Sequence, residues 1–403
     1  MNQNASTVRS EVLLKVKTHS FSVSIDTFTI YSFDREGRLI GAYLDHTNYK
    51  RGLDNSILRK WSGWRNGVRR RYRTKLSTPE RQALFAKIMG HLRDISEHPE
   101  EYALSIPEDA DEAWNWLGRC LAKDYQALER DAERFHEIYK PVTILPPDQY
   151  YSLVLQITEG CSYNKCTFCK FYQDRRFRIK SPDELRNHIE GVNAFFGSSL
   201  GLRQSIFLAD ANALIMPQAR LVEMLHIIRD SYQLLPDPDQ KKEVMRRRRS
   251  GEAVFDGIYS FIDLFTGEYK SAADFEQMAS LGVNRVYIGM ESGSKPLLDF
   301  LNKPGSKSAL ITAVNKVKAG GIRVGVIVLL GAGGKEYSQE HISESADVLN
   351  QMNLTAGDFI YFSDFYPQQG TRYAALAEQE AITGMSYEEI RKQESDIRDR
   401  LIY

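Results

Sequence analysis

Three of the four cysteines in this 403-residue chain fall within nine positions: Cys161, Cys166 and Cys169. Thiolates this close in sequence suit a metal site better than a secreted disulfide framework. The spacing, C-x4-C-x2-C, puts all three on one short loop. Three thiolates on a loop can ligate three irons of a cubane, whereas a cluster that only carries electrons normally takes four cysteines. The fourth iron would then have no protein ligand, which is what a chelating substrate needs. The competing use is a structural zinc site, with a histidine such as His188 as fourth ligand. Cys120 falls three residues after Leu117 on an apolar stripe and reads as core.

The elements around the loop say where it sits. It follows directly on a short apolar run at 152–157. Five more such runs come later, at 205–209, 258–264, 285–289, 323–330 and 358–363, each followed by a helical stretch. Leu281, Gly282, Val283 and again Gly320, Gly321, Ile322 end a helix with glycine and begin a strand at once, the mark of consecutive βα units and a parallel sheet. Six units are too few for a closed eight-stranded barrel. The fold class expected is α/β, a partial (β/α)6 barrel over residues 146–375. The cysteines then lie at the C-terminal end of its first strand, where parallel α/β folds build their sites.

Residues 1–145 read as a separate α+β domain, a hairpin followed by helices. Residues 21–32 look like one strand, 34–37 a turn, and 39–43 the returning arm. Thr78 and Pro79 begin a helix whose stripe is Leu84, Ile88, Leu92 and Ile95. A second helical stripe holds Trp114, Leu117, Leu121, Tyr125 and Leu128. The stretch 141–147 is the linker candidate, and residues 376–403 form a helical tail at the surface.

The 53 basic and 53 acidic side chains cancel, so no global field favours nucleic acid or an anionic membrane. Locally they do not: residues 1–75 carry a net +9 and residues 76–140 a net −6. No apolar run is long enough to span a bilayer. The first dozen residues lack the apolar core of a signal peptide, so a cytoplasmic protein is expected. Arg65, Arg69, Arg70, Arg71 and Arg73 lie around Trp64 and Tyr72, and 246–249 is a second arginine block. A solvated helix face or loop is the commoner meaning of such runs; RNA binding is the other.

The cysteine loop resembles that of the radical S-adenosylmethionine (SAM) superfamily, whose usual pattern is C-x3-C-x2-C with an aromatic residue before the last cysteine. Phe168 holds that aromatic position; the first gap here is one residue longer. The resemblance covers roughly residues 150–370. It implies a [4Fe–4S] cluster on Cys161, Cys166 and Cys169, with Phe168 against the adenine of SAM. After the second strand, Ala209 and Asp210 stand where the family holds the SAM amino group; Asp210 read alone would be a helix cap. Glu291 and Ser292 match a Glu-Ser-Gly element, with Glu291 toward the ribose hydroxyls, and Lys303 would meet the SAM carboxylate. Gly325 would let the fifth strand approach the adenine. Tyr361 and Asp364, on the sixth strand, are the candidate catalytic residues toward the substrate.

What the resemblance implies in chemistry is reductive cleavage of SAM to a 5′-deoxyadenosyl radical, which abstracts hydrogen from a substrate. An external electron donor, flavodoxin- or ferredoxin-like, would supply the electron. With one cysteine left over and no cobalamin-binding pattern, auxiliary-cluster and cobalamin-dependent branches are disfavoured. A small or medium organic substrate is the first choice and an RNA base the second. Outside catalysis, the loop could staple a zinc- or cluster-binding interaction protein.

Overall fold

The computed structural model describes residues 9–65, 68–107 and 109–403, with Arg65, Val68, Arg69, Pro238 and Phe265 described by backbone alone. Residues 1–8, much of the stretch read above for a signal peptide, lie outside it. The chain divides into two units. One holds Met1–Pro141, Glu190–Arg203 and Met245–Ala253; the other holds Val142–Ile189, Gln204–Val244 and Val254–Tyr403.

The first unit is built on an eight-stranded sheet. Strands β1 (Glu11–Lys17), β2 (Ser20–Ile25), β3 (Thr29–Asp34), β4 (Leu39–Leu44), β5 (Thr47–Arg51), β6 (Ile57–Arg65) and β7 (Val68–Lys75) form an antiparallel meander. The short β8 (Ala103–Ser105) pairs parallel to β1. Helices α1 (Thr78–Glu97), α2 (Ala110–Leu121) and α3 (Tyr125–Ile138) cover one face. Alternate residues Val12 and Leu14, Phe21 and Val23, Tyr31 and Phe33 point into that core, against Ile88, Leu92, Trp116 and Leu117. Each such side chain, removed fully from water, contributes about 1.5–3 kcal/mol.

Three expectations for this unit change. The stretch 21–32 is two strands, because Asp26 takes φ 68° and its carboxylate accepts the Phe28 amide at 2.6 Å, closing a tight turn. The stripe from Trp114 to Leu128 is two helices, because Asp124 stops the run and caps α3 by accepting the Ala127 amide. The arginine-rich stretch is neither helix nor loop: it lies on the β6–β7 hairpin.

The second unit holds six parallel strands in sequence order, β9 (Leu153–Gln156), β10 (Ile206–Ala209), β11 (Ile258–Ile262), β12 (Val283–Glu291), β13 (Arg323–Leu330) and β14 (Phe359–Asp364). Helices follow each: α4 (Pro182–Phe196) after β9, α5 (Gln218–Ser231) and α6 (Lys241–Arg249) after β10, α7 (Leu264–Tyr269) and α8 (Ala272–Ser280) after β11. Then come α9 (Lys295–Phe300) and α10 (Lys307–Ala319), α11 (Ser338–Asn350), and finally α12 (Arg372–Gln379) and α13 (Tyr387–Arg398). Parallel neighbours in chain order with helical crossovers make the partial barrel expected. Gly282 (φ 100°) and Gly321 (φ 79°) end their helices in the conformation glycine adopts without strain. The barrel interior is aromatic: Phe207, Tyr259 and Tyr287 are buried against Phe261 and Tyr361. At the N-terminal end of the strands, Tyr287 donates to Asp148 at 2.6 Å and Gln149 donates to Tyr287 at 3.0 Å, so the polar tips in this interior are satisfied. The tail helix α13 is not purely a surface element, because Ile390, Gln393 and Ile397 are buried. No helix among the described residues is long and apolar enough to cross a membrane.

Candidate active site

The cysteine loop leaves the C-terminal end of β9 and is held by hydrogen bonds to residues 300–302. Thr167 donates its amide to Leu301 O at 3.0 Å and its hydroxyl to Phe300 O at 3.2 Å, docking the loop on the end of α9. Asn302 Nδ2 donates to Lys165 O at 2.7 Å, and Tyr163 OH to Asn302 O at 2.9 Å. In the longer first gap, Asn164 takes φ 50°, a region asparagine tolerates. Its amide donates to Cys161 Sγ at 3.3 Å and its side chain to Tyr172 O at 2.9 Å. The fourth spacer residue is thus absorbed by a left-handed turn pinned at both ends.

The three thiols are half-buried and close enough to act on one another electrostatically. Burial pushes the Cys166 thiol up to about 12, against the pull of Lys303; burial also raises Cys169. A metal must displace those protons, and a cation beside the thiols favours that. Cys120 is buried in the core of the first unit, where its thiol is also raised by burial to about 12.

His188, the fourth ligand considered for zinc, is already engaged. The Nε2 of His188 accepts the Gln156 amide at 3.1 Å. Among the described residues no group of three or more His, Cys, Asp or Glu is placed to hold a single metal ion. Bonds of about 2.3 Å at tetrahedral angles would need zinc-bound sulfurs about 3.8 Å apart. A cubane takes one thiolate per iron and is served by a wider triangle. The donor set, three thiols and no fourth ligand on the loop, therefore fits a [4Fe–4S] cluster with one open iron.

Glu291 and Lys303 do converge on the cysteines. Lys303 Nζ donates to Glu291 Oε1 at 3.0 Å, and both groups act on Cys166. Burial alone would lower Lys303, but Glu291 and then Cys166 outweigh it, and the ammonium is held above its ordinary value. Phe168 packs against a cluster that includes Leu329 and Ala332 at the end of β13, edge-on to Phe365 at 6.2 Å.

The other expected residues have partners within the chain. Asp210, 2% exposed, accepts Gln156 Nε2 and the Gly160 amide, both at 2.8 Å, and lies 3.1 Å from Arg175 Nε. Burial raises its carboxyl, and those donors oppose the rise. These contacts clamp the start of the cysteine loop. Beside it, Ala209 O accepts the Ile157 amide at 3.0 Å. Ser292 is fully buried, accepts the Ser294 amide at 3.0 Å and shares a 2.8 Å hydrogen bond with His341 Nδ1. At Gly325 an added Cβ would lie 2.5 Å from Tyr287 Cδ1, so the strand there is packed closely on a ring of this chain. Tyr361 is mid-strand, packs with Tyr287 at 6.1 Å and hydrogen bonds Asp148, away from the strand ends where the thiols lie. Asp364 does end β14, but Arg391 of α13 already bonds its carboxylate.

Two residues at the same strand ends escaped the sequence reading. Asp263, immediately after β11, accepts Ser162 Oγ of the cysteine loop at 3.4 Å and the Thr266 amide at 2.9 Å. Asn212, just past β10, accepts Thr266 Oγ1 at 3.0 Å, while its buried Nδ2 has no acceptor among the described residues. Their position directly after strands was the available signal.

Residues 155–349 match the sequence profile of the Radical SAM superfamily, so this part of the chain is a Radical SAM domain. No curated protein sequence matches the chain significantly. Solved structures with a similar fold include the cobalamin-dependent S-adenosylmethionine radical enzyme OxsB, at 16% identity, covering 59% of this chain and 37% of that one with TM-score 0.42. Coproporphyrinogen III oxidase (HemN) from Escherichia coli is similar at 14% identity, 69% and 55% coverage, and TM-score 0.40. HydG, a maturase of the [FeFe]-hydrogenase, is similar at 15% identity, 81% and 65% coverage, and TM-score 0.40. The chain spans little more than a third of the first of these. The superfamily's cofactors are a [4Fe–4S] cluster and SAM, the pair that the three-thiol loop fits.

Proposed function

We propose that the chain reductively cleaves SAM and abstracts hydrogen from a small or medium organic substrate. The observation that carries this reading is the loop with three thiols and no fourth cysteine on it. When bound, the cluster would pass one electron from an external reductant to the SAM sulfonium, releasing a 5′-deoxyadenosyl radical that takes the substrate hydrogen.

The chain's own task is holding and orienting. Cys161, Cys166 and Cys169 would ligate three irons. Lys303, kept charged by Glu291, is the cation available to the SAM carboxylate. Asn212 Nδ2, a buried donor with no acceptor among the described residues, is a second polar contact for cofactor or substrate. Phe168 and the apolar residues around it give an aromatic wall for the adenine. Asp210 and Asp263 act through the loop: they fix Gly160 and Ser162 on either side of Cys161.

The test is electron paramagnetic resonance of anaerobically reconstituted, dithionite-reduced protein. Addition of SAM is expected to change the cluster signal, because SAM takes the open iron. A signal indifferent to saturating SAM would contradict the reading.

A further inference from the structure

The β6–β7 hairpin forms the last two strands of the first unit's sheet, and β7 is its edge. Helices cover the other face; on this one, alternate residues of both strands are exposed. The register pairs Lys60 with Arg73 and Ser62 with Arg71, so Lys60, Ser62 and Trp64 share a face with Arg71, Arg73 and Lys75. Trp64 is 74% exposed. None of these four cations has an acidic partner among the described residues, unlike Lys392 and Arg398 of α13, which are paired with Asp396 and Glu394. On the opposite side of the same hairpin, Trp61 stacks on Tyr72 at 5.5 Å with Arg59 over the indole at 4.8 Å.

Edge strands carry charge to resist pairing with other chains. Mixed signs would serve that purpose, and nothing in it calls for an indole in water. The charge is also partitioned by layer. Residues 1–75, which contain β1 to β7, hold a net +9, while residues 76–140, which contain α1 to α3 and only the short, uncharged β8, hold a net −6. Cations on alternate residues of a strand stand about 7 Å apart, and an exposed indole among them offers a stacking surface.

We propose that this hairpin binds single-stranded nucleic acid, with Lys60, Arg71, Arg73 and Lys75 on the phosphates and Trp64 stacked on a base. An anionic membrane would need more exposed apolar surface than one indole provides. An acidic protein would not need the stacking surface. Stacking on an aromatic platform within a basic groove is how sequence-tolerant single-strand binders work.

Fluorescence anisotropy of the full, cluster-reconstituted chain with a labelled 16-nucleotide single-stranded RNA of mixed sequence tests this. The same titration is run with single-stranded DNA, with duplex RNA and with phosphatidylserine vesicles. Binding is expected to single strands of either sugar more tightly than to duplex. Four phosphate contacts predict a slope of log affinity against log salt of about −3. Trp64→Ala should weaken single-strand binding about tenfold. The pair Arg71→Gln and Arg73→Gln should lower the slope by about 1.4. SAM cleavage without substrate should be unchanged in these variants, which separates this surface from the cofactor site. Absence of oligonucleotide binding at low salt overturns the proposal. So does binding unaffected by both variants, and so does binding to vesicles in place of RNA.

Discussion

At the scale of single residues, Asp210 and Glu291, which the resemblance places at the SAM amino group and the ribose hydroxyls, stand in different surroundings. Asp210 is enclosed by Gln156, Gly160 and Arg175, and removing one partner of such a buried charged network costs about 3 kcal/mol or more. Asp210→Ala is therefore predicted to lower stability by about that amount in urea unfolding and to impair cluster retention. Weakened SAM binding at full stability would instead restore it to the cofactor. Lys303 is held by a single partner beside the thiols, so Lys303→Met should keep about four irons and lose about 1.5–3 kcal/mol of SAM affinity, the worth of one charge-assisted contact. Equilibrium binding of SAM to the intact cluster protein reads this directly. Cys161→Ala, Cys166→Ala and Cys169→Ala should each abolish the cluster, whereas Cys120→Ala should leave the iron content unchanged.

At the scale of elements, Glu291 is aimed by what lies behind it. It sits at the end of β12 with φ 59°, and the next residue, Ser292, is tied to His341 of α11. His341 is fully buried, and burial lowers it to about 4 from its ordinary 6.5. The unfolded chain binds this proton below about pH 6.5 while the folded one refuses it until about pH 4, so stability falls as pH drops through that window. The loss approaches about 3 kcal/mol at the low end. Urea unfolding between pH 7 and 4 should show this slope in the wild type and a shallower one in His341→Gln; equal slopes would remove His341 from the account.

A prediction at the same scale concerns Gly325→Ala, which forces a methyl into the Tyr287 ring. Overpacking of this kind costs about 1–3 kcal/mol, with SAM affinity unaffected in the folded fraction. These examples show what the sequence makes legible. The six strands, their order and the glycine stops follow from period and helix-ending chemistry. The thiol loop follows from spacing. The partners of Asp210, Ser292, Gly325 and Tyr361 do not, because each is chosen by a residue distant in sequence: Gln156, His341, Tyr287 and Asp148. The meander of the first unit was hidden for a related reason. Serines interrupt the apolar residues of β2, and in β7 five cations stand against two apolar residues.

At the scale of the whole molecule, the barrel gathers polar and thiol side chains at the C-terminal ends of its first four strands. The cysteine loop follows β9, Asp210 and Asn212 follow β10, Asp263 follows β11, and Glu291 closes β12. This end-of-strand collection is what one parallel sheet can assemble from segments more than a hundred residues apart. The central claim is that the collection serves a single three-thiolate cluster open to SAM. Its most direct test is 5′-deoxyadenosine release, quantified by mass spectrometry, from anaerobically reconstituted protein given SAM and dithionite. The account predicts slow release by protein holding about four irons per chain, and none by Cys161→Ala. Protein loaded with iron that yields no 5′-deoxyadenosine, or a Cys161→Ala variant that releases it at the wild-type rate, would contradict it.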